Sequence, residues 1–466
     1  MAKESIRYAI DEKAVAYKRS KFLYFLEVEN NKLVYDTLHS KLFKLHSNDY
    51  NILSQGDLSC LTNNFDKASL LLKNKLIYES DYDQTELLNY RVSSIMNDNI
   101  LQITILPTNA CNFRCKYCFE EHKLDYMSQE VKERIIKFFR RSIPKYKSVY
   151  ICWFGGEPLL QKEIVYDIMR AAQEVGKRCG VPVLGQMTTN GYLLDLTTFE
   201  KLNELGVLHY HITIDGPQKI HDYMRPLASG KGTYDVIMSN LAEIKNKSRY
   251  NRFSIMVRAN TNKNTYKFYP EFLDDAMSKL QNDKRFIFFI QKINDWGGED
   301  VKQLTDTLLT REKDLWEEIL PQMKNVNKNS GEMQNLSSVT SCSMKTKSSF
   351  AFYVDGSVYK CSMAIQGLSS NNDFGKVGEL LSNGQLELDE KKLALFAAQP
   401  KIMDKCNDCC WLPFCLVGMC PFAVAKKQRL RCILEDFGLS FYNENLKNDF
   451  LSGKYIDLSI VTESIN

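Results

Sequence analysis

The sequence lacks the features that mark membrane-spanning and secreted proteins. It contains no apolar run of about 18 residues, the length that a transmembrane helix needs. Residues 1–20 carry charged side chains throughout and have no apolar core of the kind found in a signal peptide. We therefore expect a cytoplasmic protein with no membrane partner.

A strong charge of one sign is also missing. The chain has 61 Lys and Arg against 57 Asp and Glu, a net charge of +4. That excess is too small to indicate a nucleic-acid partner. Internal repeats and low-complexity tracts are absent as well, and 466 residues suit two or three domains.

Cysteine is the residue type that needs an explanation, since there are 14. Disulfides are rare in a reducing cytosol, so clustered cysteines indicate metal sites and isolated ones indicate buried or surface thiols. Cys60, Cys152 and Cys179 stand alone, and we interpret them as ordinary core or surface thiols. The other eleven fall into two groups, at residues 111–118 and 342–432.

The hydrophobic pattern predicts an α/β fold with a small module before it. Residues 22–29, 32–36 and 41–45 are predicted strands, helices follow, and residues 85–99 are predicted to form a linker helix. From residue 100 apolar strands alternate with amphipathic helices, which predicts a parallel sheet and, with six units, a partial (β/α)6 barrel of the TIM type. The six predicted strands are residues 101–106, 149–154, 182–188, 210–214, 253–258 and 285–291.

The first cysteine group, Cys111, Cys115 and Cys118, directly follows a predicted strand, where an α/β barrel places its active site. A four-iron cubane normally takes four thiolates, so three from one loop leave one iron open, and an open position on a metal indicates reactivity. The amino and carboxylate groups of S-adenosylmethionine (SAM) can chelate such an iron. A zinc site is the alternative, but zinc favours four ligands, often as two CxxC pairs.

This spacing resembles the signature of the radical SAM superfamily, and the resemblance covers roughly residues 100–290. It implies a [4Fe-4S] cluster held by Cys111, Cys115 and Cys118, and a deoxyadenosyl radical made from SAM. It also implies that Arg225 pairs with the SAM carboxylate, although a surface salt bridge is the alternative for that side chain. The SAM-binding residues that the family motifs imply are Tyr117, Gly155, Gly156, Glu157, Thr189, Asn190 and Arg225.

The second cysteine group resembles the SPASM domain of radical SAM maturases, with four residues rather than three before Cys420. The resemblance implies two auxiliary [4Fe-4S] clusters, making three in all. The outer one would be held by Cys406, Cys409, Cys415 and Cys432, and the inner one by Cys342, Cys361 and Cys420. A pair of zinc knuckles is the alternative. Cys410 is extra: either it completes the inner cluster, or one iron stays open to a substrate thiolate.

Residues 1–84 resemble the winged-helix-like peptide-recognition element of peptide maturases. There a leader peptide adds a strand to the sheet edge, and the candidate edge is Lys41–Leu45. A structural cap or dimer module is the alternative. We thus expect four segments: 1–84, a linker at 85–99, the radical SAM barrel at 100–330 and the SPASM domain at 331–466.

Together these features predict a maturase of a ribosomally made precursor peptide, forming a cysteine thioether, as in ranthipeptide and sactipeptide maturases. Its partners would be that peptide and an electron donor such as flavodoxin or ferredoxin. An anaerobic sulfatase maturase is the main alternative, but those enzymes carry an Asp where this chain has Ser362. Epimerisation, carbon–carbon crosslinking and a non-catalytic electron-transfer role also remain open.

Overall fold

The computed structural model describes most of the chain from residue 16 onward. The described residues are 16–94, 99–280, 283–296, 299–311, 313–315, 342, 346–366, 375–396, 403–418, 420 and 432–459. The predicted bridge at 325–341 lies outside them, as do residues 312 and 316–324 of the helix predicted at 300–324. Within the described part of 300–324, residues Asp300–Thr307 form a 3-10 helix.

Six parallel strands form the centre of the molecule, and all six strand predictions are confirmed. They are β6 (Ile100–Ile105), β7 (Ser148–Trp153), β8 (Val183–Thr189), β9 (Val207–Thr213), β10 (Ser254–Thr261) and β11 (Phe286–Lys292), and each pairs in parallel with its neighbours in chain order. Alternate residues are apolar and buried: in β6, Leu101, Ile103 and Ile105 are at most 1% exposed. This alternation fixes which face of the sheet the helices cover.

The helices between these strands cover that apolar face. They are α4 (Gln129–Ser142), α5 (Lys162–Cys179), α6 (Leu196–Glu204), α7 (Gln218–Met224), α8 (Tyr234–Lys247) and α9 (Tyr269–Leu280). The Ser128 side chain caps α4 by accepting from the amide of Val131. The predicted apolar face of α4 is confirmed, since Val131, Ile135, Phe138 and Phe139 are buried.

The parallel sheet continues into the cysteine-rich part of the chain. Its next strands are β12 (Ser349–Phe352), β13 (Ser357–Tyr359), β14 (Lys376–Leu380) and β15 (Leu386–Leu388). β12 pairs in parallel with β6, and the other three follow it in antiparallel order. The ten-stranded sheet therefore crosses the boundary expected near residue 330.

The N-terminal module forms its own sheet, and its three predicted strands are confirmed. Its elements are β1 (Tyr17–Arg19), β2 (Leu23–Val28), β3 (Asn31–Asp36), β4 (Lys41–Leu45), α1 (Ser47–Gln55), α2 (Phe65–Lys73), β5 (Ile77–Glu79) and α3 (Gln84–Ser94). β1 pairs with β5, and α3 stands where the linker helix was predicted.

The expectation that Lys41–Leu45 lies at a sheet edge is wrong. The sheet order is β16-β4-β3-β2, where β16 (Ile456–Asp457) comes from far along the chain. The hydrophobic pattern could not reveal this, because a two-residue strand has no periodicity to recognise. Among the described residues, β2 is the outer strand at the other side of this sheet.

An aromatic cluster joins the N-terminal sheet to the second cysteine group. The remaining helices are α10 (Met363–Gln366), α11 (Glu390–Phe396), α12 (Leu412–Gly418), α13 (Ile433–Phe437) and α14 (Leu439–Leu451). Trp411, 1% exposed, has its ring centre 5.1 Å from Tyr24 and 4.6 Å from Tyr442. The module is thus packed against the residues between Cys410 and Cys415.

No helix in the described ranges combines the length and hydropathy needed to cross a membrane.

Candidate functional site

The predicted site residues come together at one end of the parallel sheet. The cysteine loop follows β6, Gly155–Glu157 follow β7, Asn190 follows β8, and Asp215 follows β9. The carboxyl ends of parallel strands meet at one edge, which is where α/β folds place their ligands.

The three thiols of the first group lie in one another's electrostatic field. Burial raises the pKa of Cys111 to about 12, and it also raises the pKa of Cys115 and Cys118. The charges of Cys115 and Cys111 raise the pKa of Cys118 further. Thiols in such surroundings ionise only when a cation compensates them, and iron bound by thiolates supplies that cation.

The three thiols are of the donor type that iron–sulfur clusters take. Over the part of the chain that the structure covers, no group of three His, Cys, Asp or Glu side chains is placed to hold one metal ion. A cubane spreads its thiolates over separate iron atoms, so its ligands need not meet at one point. The donor set therefore fits a [4Fe-4S] cluster.

The two glycines after β7 allow a close backbone approach. Gly155 has φ +119°, and a Cβ there would lie 2.5 Å from the carbonyl oxygen of Thr108. The amide of Gly156 donates to that same oxygen at 3.1 Å. Any side chain at either position would push this turn away from the strand that leads into the cysteine loop.

Glu157, which follows the two glycines, is buried, and its carboxylate accepts three hydrogen bonds. Its Oε1 accepts from the hydroxyl of Thr189 at 2.7 Å and from the amide of Leu159 at 3.0 Å, and its Oε2 accepts from the amide of Asn190 at 2.8 Å. Burial raises the pKa of its carboxyl. This carboxylate therefore fixes the turn after β8 relative to the turn after β7.

Asn190, whose amide is bound by Glu157, also contacts the cysteine loop. Its Nδ2 donates to Oδ1 of Asn112 at 2.7 Å and lies 4.0 Å from Sγ of Cys111. The amide of Phe113 is 3.4 Å from the same sulfur. Amide donors around a sulfur stabilise its thiolate form.

Tyr117 is tied into a buried polar network by its hydroxyl. It donates to Oδ2 of Asp215 at 2.6 Å, and it accepts from Nη1 of Arg225 at 2.7 Å and Nδ2 of Asn260 at 3.0 Å. The amide of Asn260 donates to the other oxygen of Asp215 at 3.0 Å. The loop between Cys115 and Cys118 is thus held to the ends of β9 and β10.

This network contains more positive than negative charge. Arg225 and Arg258 both act electrostatically on Asp215, the carboxylate of the network. The Nε atoms of both arginines are buried and have no hydrogen-bond partner among the described residues. A buried guanidinium with an Nε that has no partner suits an anionic ligand, so the site fits the carboxylate that SAM would bring.

Sequence reasoning gave no role to Asp215, Arg258 or Asn260. All three carried only the signal that they lie at or just beyond the end of a predicted strand, 210–214 for Asp215 and 253–258 for Arg258 and Asn260. Sequence reasoning also missed the contact between Asn109, which precedes the cysteine loop, and the hydroxyl of Tyr353 in the turn after β12.

Four thiols of the second group form a set of mutual electrostatic neighbours. The pKa of Cys415 is raised to about 12 by burial and then by Cys432, Cys409 and Cys406. The pKa of Cys409 is raised by burial and then by Cys406 and Cys432. The structure therefore brings together the four residues predicted for the outer auxiliary cluster.

Cys410 faces the N-terminal module instead. Its backbone carbonyl accepts from the hydroxyl of Thr37. Burial raises the pKa of its thiol to about 11, the charge of Cys409 raises that pKa further, and Arg19 opposes the shift. Its thiol in turn acts on Tyr24.

The three thiols predicted for the inner cluster lie in separate described parts of the chain. Cys342 and Cys420 are single described residues, and Cys361 lies within 346–366. Cys342 and Cys361 are half-buried and pack against the main core, and Cys420 is exposed. Among the isolated cysteines, Cys60 and Cys179 are exposed. Cys152 lies in β7, where Nε2 of Gln102 is 3.8 Å from its sulfur.

Comparison with known proteins agrees with this geometry. Residues 105–265 match the family model of the radical SAM superfamily. The chain is 27% identical to the cysteine-type anaerobic sulfatase-maturating enzyme of Clostridium novyi, over 68% of this chain and 87% of that enzyme. It is 24% identical to the Fe-coproporphyrin III synthase of Methanosarcina barkeri, over 46% of this chain and 52% of that protein. The chain thus spans only about half the length of the latter relative.

Two solved structures share the fold. Native anSMEcpe with bound AdoMet and Kp18Cys peptide matches with a TM-score of 0.54 and 19% identity, over 76% of this chain and 98% of that chain. Streptococcus suis SuiB bound to precursor peptide SuiA matches with a TM-score of 0.50 and 15% identity, over 90% of this chain and 99% of that chain. This mixed α/β protein therefore shares its fold with these structures, and its residues 105–265 match the radical SAM superfamily.

Proposed function

We propose that this chain is a radical SAM maturase that modifies a ribosomally made precursor peptide and joins a cysteine sulfur to a carbon in a thioether. When bound, a reduced [4Fe-4S] cluster with SAM supplies one-electron cleavage of SAM, and so a carbon radical able to take a hydrogen atom. The observation that carries the proposal is that Arg225, whose buried Nε has no hydrogen-bond partner among the described residues, acts electrostatically on the thiols of Cys111 and Cys115 in the loop that also carries Cys118.

The chain's own residues prepare this site before any ligand arrives. Glu157 and Asn190 fix the turns around Cys111, and Tyr117 fixes the second half of the cysteine loop. Arg225 keeps Nη1 on Tyr117 and leaves Nε for the carboxylate of SAM. Preorganised donors of this kind bind a ligand without a rearrangement cost.

The peptide substrate is proposed from the N-terminal module and from SuiB, a fold relative whose structure holds a precursor peptide. The sheet of β2, β3 and β4 is packed on Trp411, next to the set of Cys406, Cys409, Cys415 and Cys432. A peptide bound on that sheet is therefore close to the cysteine-rich region. We propose that residues 1–84 act as the recognition element and residues 331–466 as a SPASM domain with two auxiliary clusters.

Thioether chemistry is proposed from the orientation of Cys410. Its thiol interacts electrostatically with Cys409, Arg19 and Tyr24, so we leave it out of the inner set and propose only Cys342, Cys361 and Cys420 for that cluster. A cubane has four irons to ligate, and a thiolate is a donor that iron prefers. A substrate cysteine is the thiol that would complete this set.

Sulfatase maturation is the second candidate, and the match over 87% of the Clostridium novyi enzyme favours it. Ser362, which begins the turn into α10, argues against it, because the resemblance to sulfatase maturases leads us to expect an Asp there. A serine hydroxyl is a far weaker base than a carboxylate near neutral pH.

Mass spectrometry of a treated peptide separates these functions. The anaerobically reconstituted protein, SAM and a reductant are incubated with a cysteine-containing precursor encoded beside this gene. A thioether removes two hydrogen atoms and leaves no thiol to alkylate, whereas a carbon–carbon crosslink removes two hydrogens and keeps the thiol. Formylglycine formation replaces the sulfur of a cysteine by oxygen and also removes two hydrogen atoms, and an epimer keeps its mass. A peptide that stays unmodified while SAM is cleaved contradicts the proposed substrate.

A further inference from the structure

Arg258 is a cation on the face of the parallel sheet that the helices leave open. In β10 the side chains of Ile255, Val257 and Ala259 are buried on the helix-covered face, so Arg258, which alternates with them, points to the opposite, open face. Its Nε is buried and has no hydrogen-bond partner among the described residues. This guanidinium therefore has a buried donor left for a ligand.

The carboxylate that acts on Arg258 is that of Asp215, and its oxygens are already engaged. Oδ2 accepts from the hydroxyl of Tyr117 at 2.6 Å, and Oδ1 accepts from the amide of Asn260 at 3.0 Å. Arg225 acts on the same carboxylate as Arg258 does. One negative charge thus faces two guanidinium groups, and one positive charge is left without compensation.

The carboxylate of SAM accounts for only one of the two arginines. Arg225 acts electrostatically on the thiols of Cys111 and Cys115, so it lies beside the loop that would hold the cluster and SAM. The charges that act on Arg258 include Arg225 and Asp215 and none of the cysteines. With SAM bound to Arg225, Arg258 remains a cation that neither the described residues nor SAM neutralises.

The positive charge of Arg258 is costly in these surroundings. Burial lowers the pKa of Arg258 and Arg225 lowers it further, whereas Tyr117 and Asp215 raise it. A charge that has left water without a counter-ion raises the free energy of the folded protein. An anion bound beside the guanidinium would remove that cost.

The strands around Arg258 supply no such anion. The six parallel strands β6 to β11 contain no Asp and no Glu. Their cationic side chains and histidines are Arg258, Lys292, His209 and His211. A concave surface lined by charge of one sign concentrates ligands of the opposite sign and repels cations. The open face therefore favours an acidic ligand and disfavours one with Lys or Arg.

The rest of the open face consists of neutral groups that a ligand can reach. Burial, and then Arg258, lower the pKa of His211 to about 4, so its ring is neutral near pH 7. Nε2 of Gln186 lies 3.4 Å from Nε2 of His211, and Oε1 of Gln186 accepts from the hydroxyl of Tyr150 at 3.0 Å. Leu184 is 37% exposed although β8 has a strand on either side. A ligand that enters at the carboxyl ends of the strands meets Arg258 first and neutral polar groups beyond it.

We propose that Arg258 is a specificity-determining residue that binds a carboxylate of the substrate on the open face of the sheet, next to the SAM site. For the identity of the substrate as a precursor peptide, the inference rests on the proposed function. The peptide then carries an acidic side chain, or its own carboxyl end, close to the residue that loses hydrogen. A guanidinium matches a carboxylate with two parallel N–H groups, so the contact fixes the orientation of the peptide as well as its charge.

Three small peptides serve as probes of this site. They are acetyl-Gly-Glu-Gly-amide, acetyl-Gly-Gln-Gly-amide and acetyl-Gly-Gly-Gly with a free carboxyl end. Each is titrated by anaerobic calorimetry into the reconstituted full-length protein, saturated with SAM and without a reductant. We expect the wild type to bind the Glu peptide or the free-carboxyl peptide about ten-fold more tightly than the Gln peptide. The preferred probe shows whether a side chain or a chain end supplies the carboxylate.

Substitutions at Arg258 test whether this residue is the source of the preference. Arg258→Gln should bind all three peptides equally, and Arg258→Lys, which keeps the charge but loses the planar fork, should keep part of the preference. Arg178→Gln, at an exposed arginine near the end of α5, is the matched control and should behave as the wild type. SAM affinity should fall in Arg225→Gln and stay at the wild-type value in Arg258→Gln.

Thermal unfolding checks that the variants are folded. Arg258→Gln removes a buried charge that has no counter-ion, so it should unfold at the same temperature as the wild type or at a higher one. If it does not fold, the comparison of the wild type with Arg258→Lys decides.

Equal affinity of the wild type for the three peptides, or no binding of any of them at millimolar concentration, would overturn the proposal. A SAM affinity that falls as far in Arg258→Gln as in Arg225→Gln would assign Arg258 to SAM and overturn it too. No SAM is cleaved in these titrations, because they contain no reductant. Their failure is therefore distinct from a failure of the proposed maturase activity, which is measured on SAM and on the modified peptide.

Discussion

The hydroxyl of Tyr117 donates a hydrogen bond of 2.6 Å to Oδ2 of Asp215, and this bond joins the cysteine loop to the end of β9. Arg225 and Asn260 donate to the same hydroxyl. One oxygen atom therefore holds three parts of the site in place, and it lies on a residue between two proposed iron ligands. Three hydrogen bonds that converge on one buried oxygen favour a single arrangement of the elements that they join.

Tyr117→Phe should destabilise the protein and weaken SAM binding while leaving the cysteines unchanged. Removing the hydroxyl leaves donors of Arg225 and Asn260 without their acceptor, which costs about 1–3 kcal/mol in the free energy of unfolding. The measurements are chemical denaturation of the iron-free protein and SAM affinity of the reconstituted one. Tyr223→Phe is the control, since Tyr223 is 63% exposed. An unchanged SAM affinity together with unchanged stability contradicts the role assigned to the hydroxyl.

Cys409→Ala and Cys410→Ala form a matched pair of neighbours with opposite expected outcomes. Cys409 lies among Cys406, Cys415 and Cys432, so its removal should cost up to about four irons per chain out of about twelve for three cubanes. Cys410 faces the N-terminal module, so its removal should leave the iron content at the wild-type value. Iron analysis after anaerobic reconstitution decides, and a loss of iron in Cys410→Ala would show that this thiol is a ligand.

Trp411→Ala should separate the N-terminal sheet from the cysteine-rich region. Trp411 is 1% exposed and contacts the rings of Tyr24 and Tyr442. Emptying a site of this size costs about 3–5 kcal/mol. Trp296→Ala, at a tryptophan that is 40% exposed, should change stability far less. Thermal unfolding and protease cleavage within residues 1–84 measure the effect, and equal behaviour of the two variants would argue that the module is not anchored there.

His211 makes stability depend on pH. Burial, and then Arg258, lower its pKa from 6.5 to about 4. Between those values the unfolded histidine binds a proton that the folded one does not, so the free energy of unfolding falls as the pH falls, by up to about 3 kcal/mol in total. His211→Gln should lose this part of the pH dependence. Denaturation of both proteins at pH 7 and pH 5 tests it, and parallel pH dependences contradict it.

The parts of the structure that are determined locally could be predicted from the sequence. The six strands follow from runs such as Leu101, Ile103 and Ile105, which alternate with polar residues. The positions of the cysteine loop and of Gly155–Glu157 follow from their place directly after such strands. These signals lie within a few residues of one another, so a single sequence contains them.

The parts that depend on distant pairing could not be predicted. The addition of β12 to β6 and of β16 to β4 joins segments that are hundreds of residues apart, and β16 is too short to carry a pattern. The roles of Arg258 and Asn260 appear only when β10 is placed beside Tyr117 and Asp215. The orientation of Cys410 likewise depends on contacts with Arg19 and Thr37 of the N-terminal module.

Reductive cleavage of SAM is the direct test of whether this chain is a radical SAM enzyme. The wild type, reconstituted with iron and sulfide without oxygen, is incubated with SAM and dithionite, and 5′-deoxyadenosine and methionine are quantified. We expect the wild type to form both products. The Cys111→Ala/Cys115→Ala/Cys118→Ala variant should form neither and should hold about four irons fewer, whereas Cys60→Ala should match the wild type. A wild type that holds only zinc, or that binds iron but leaves SAM intact under reduction, would contradict it.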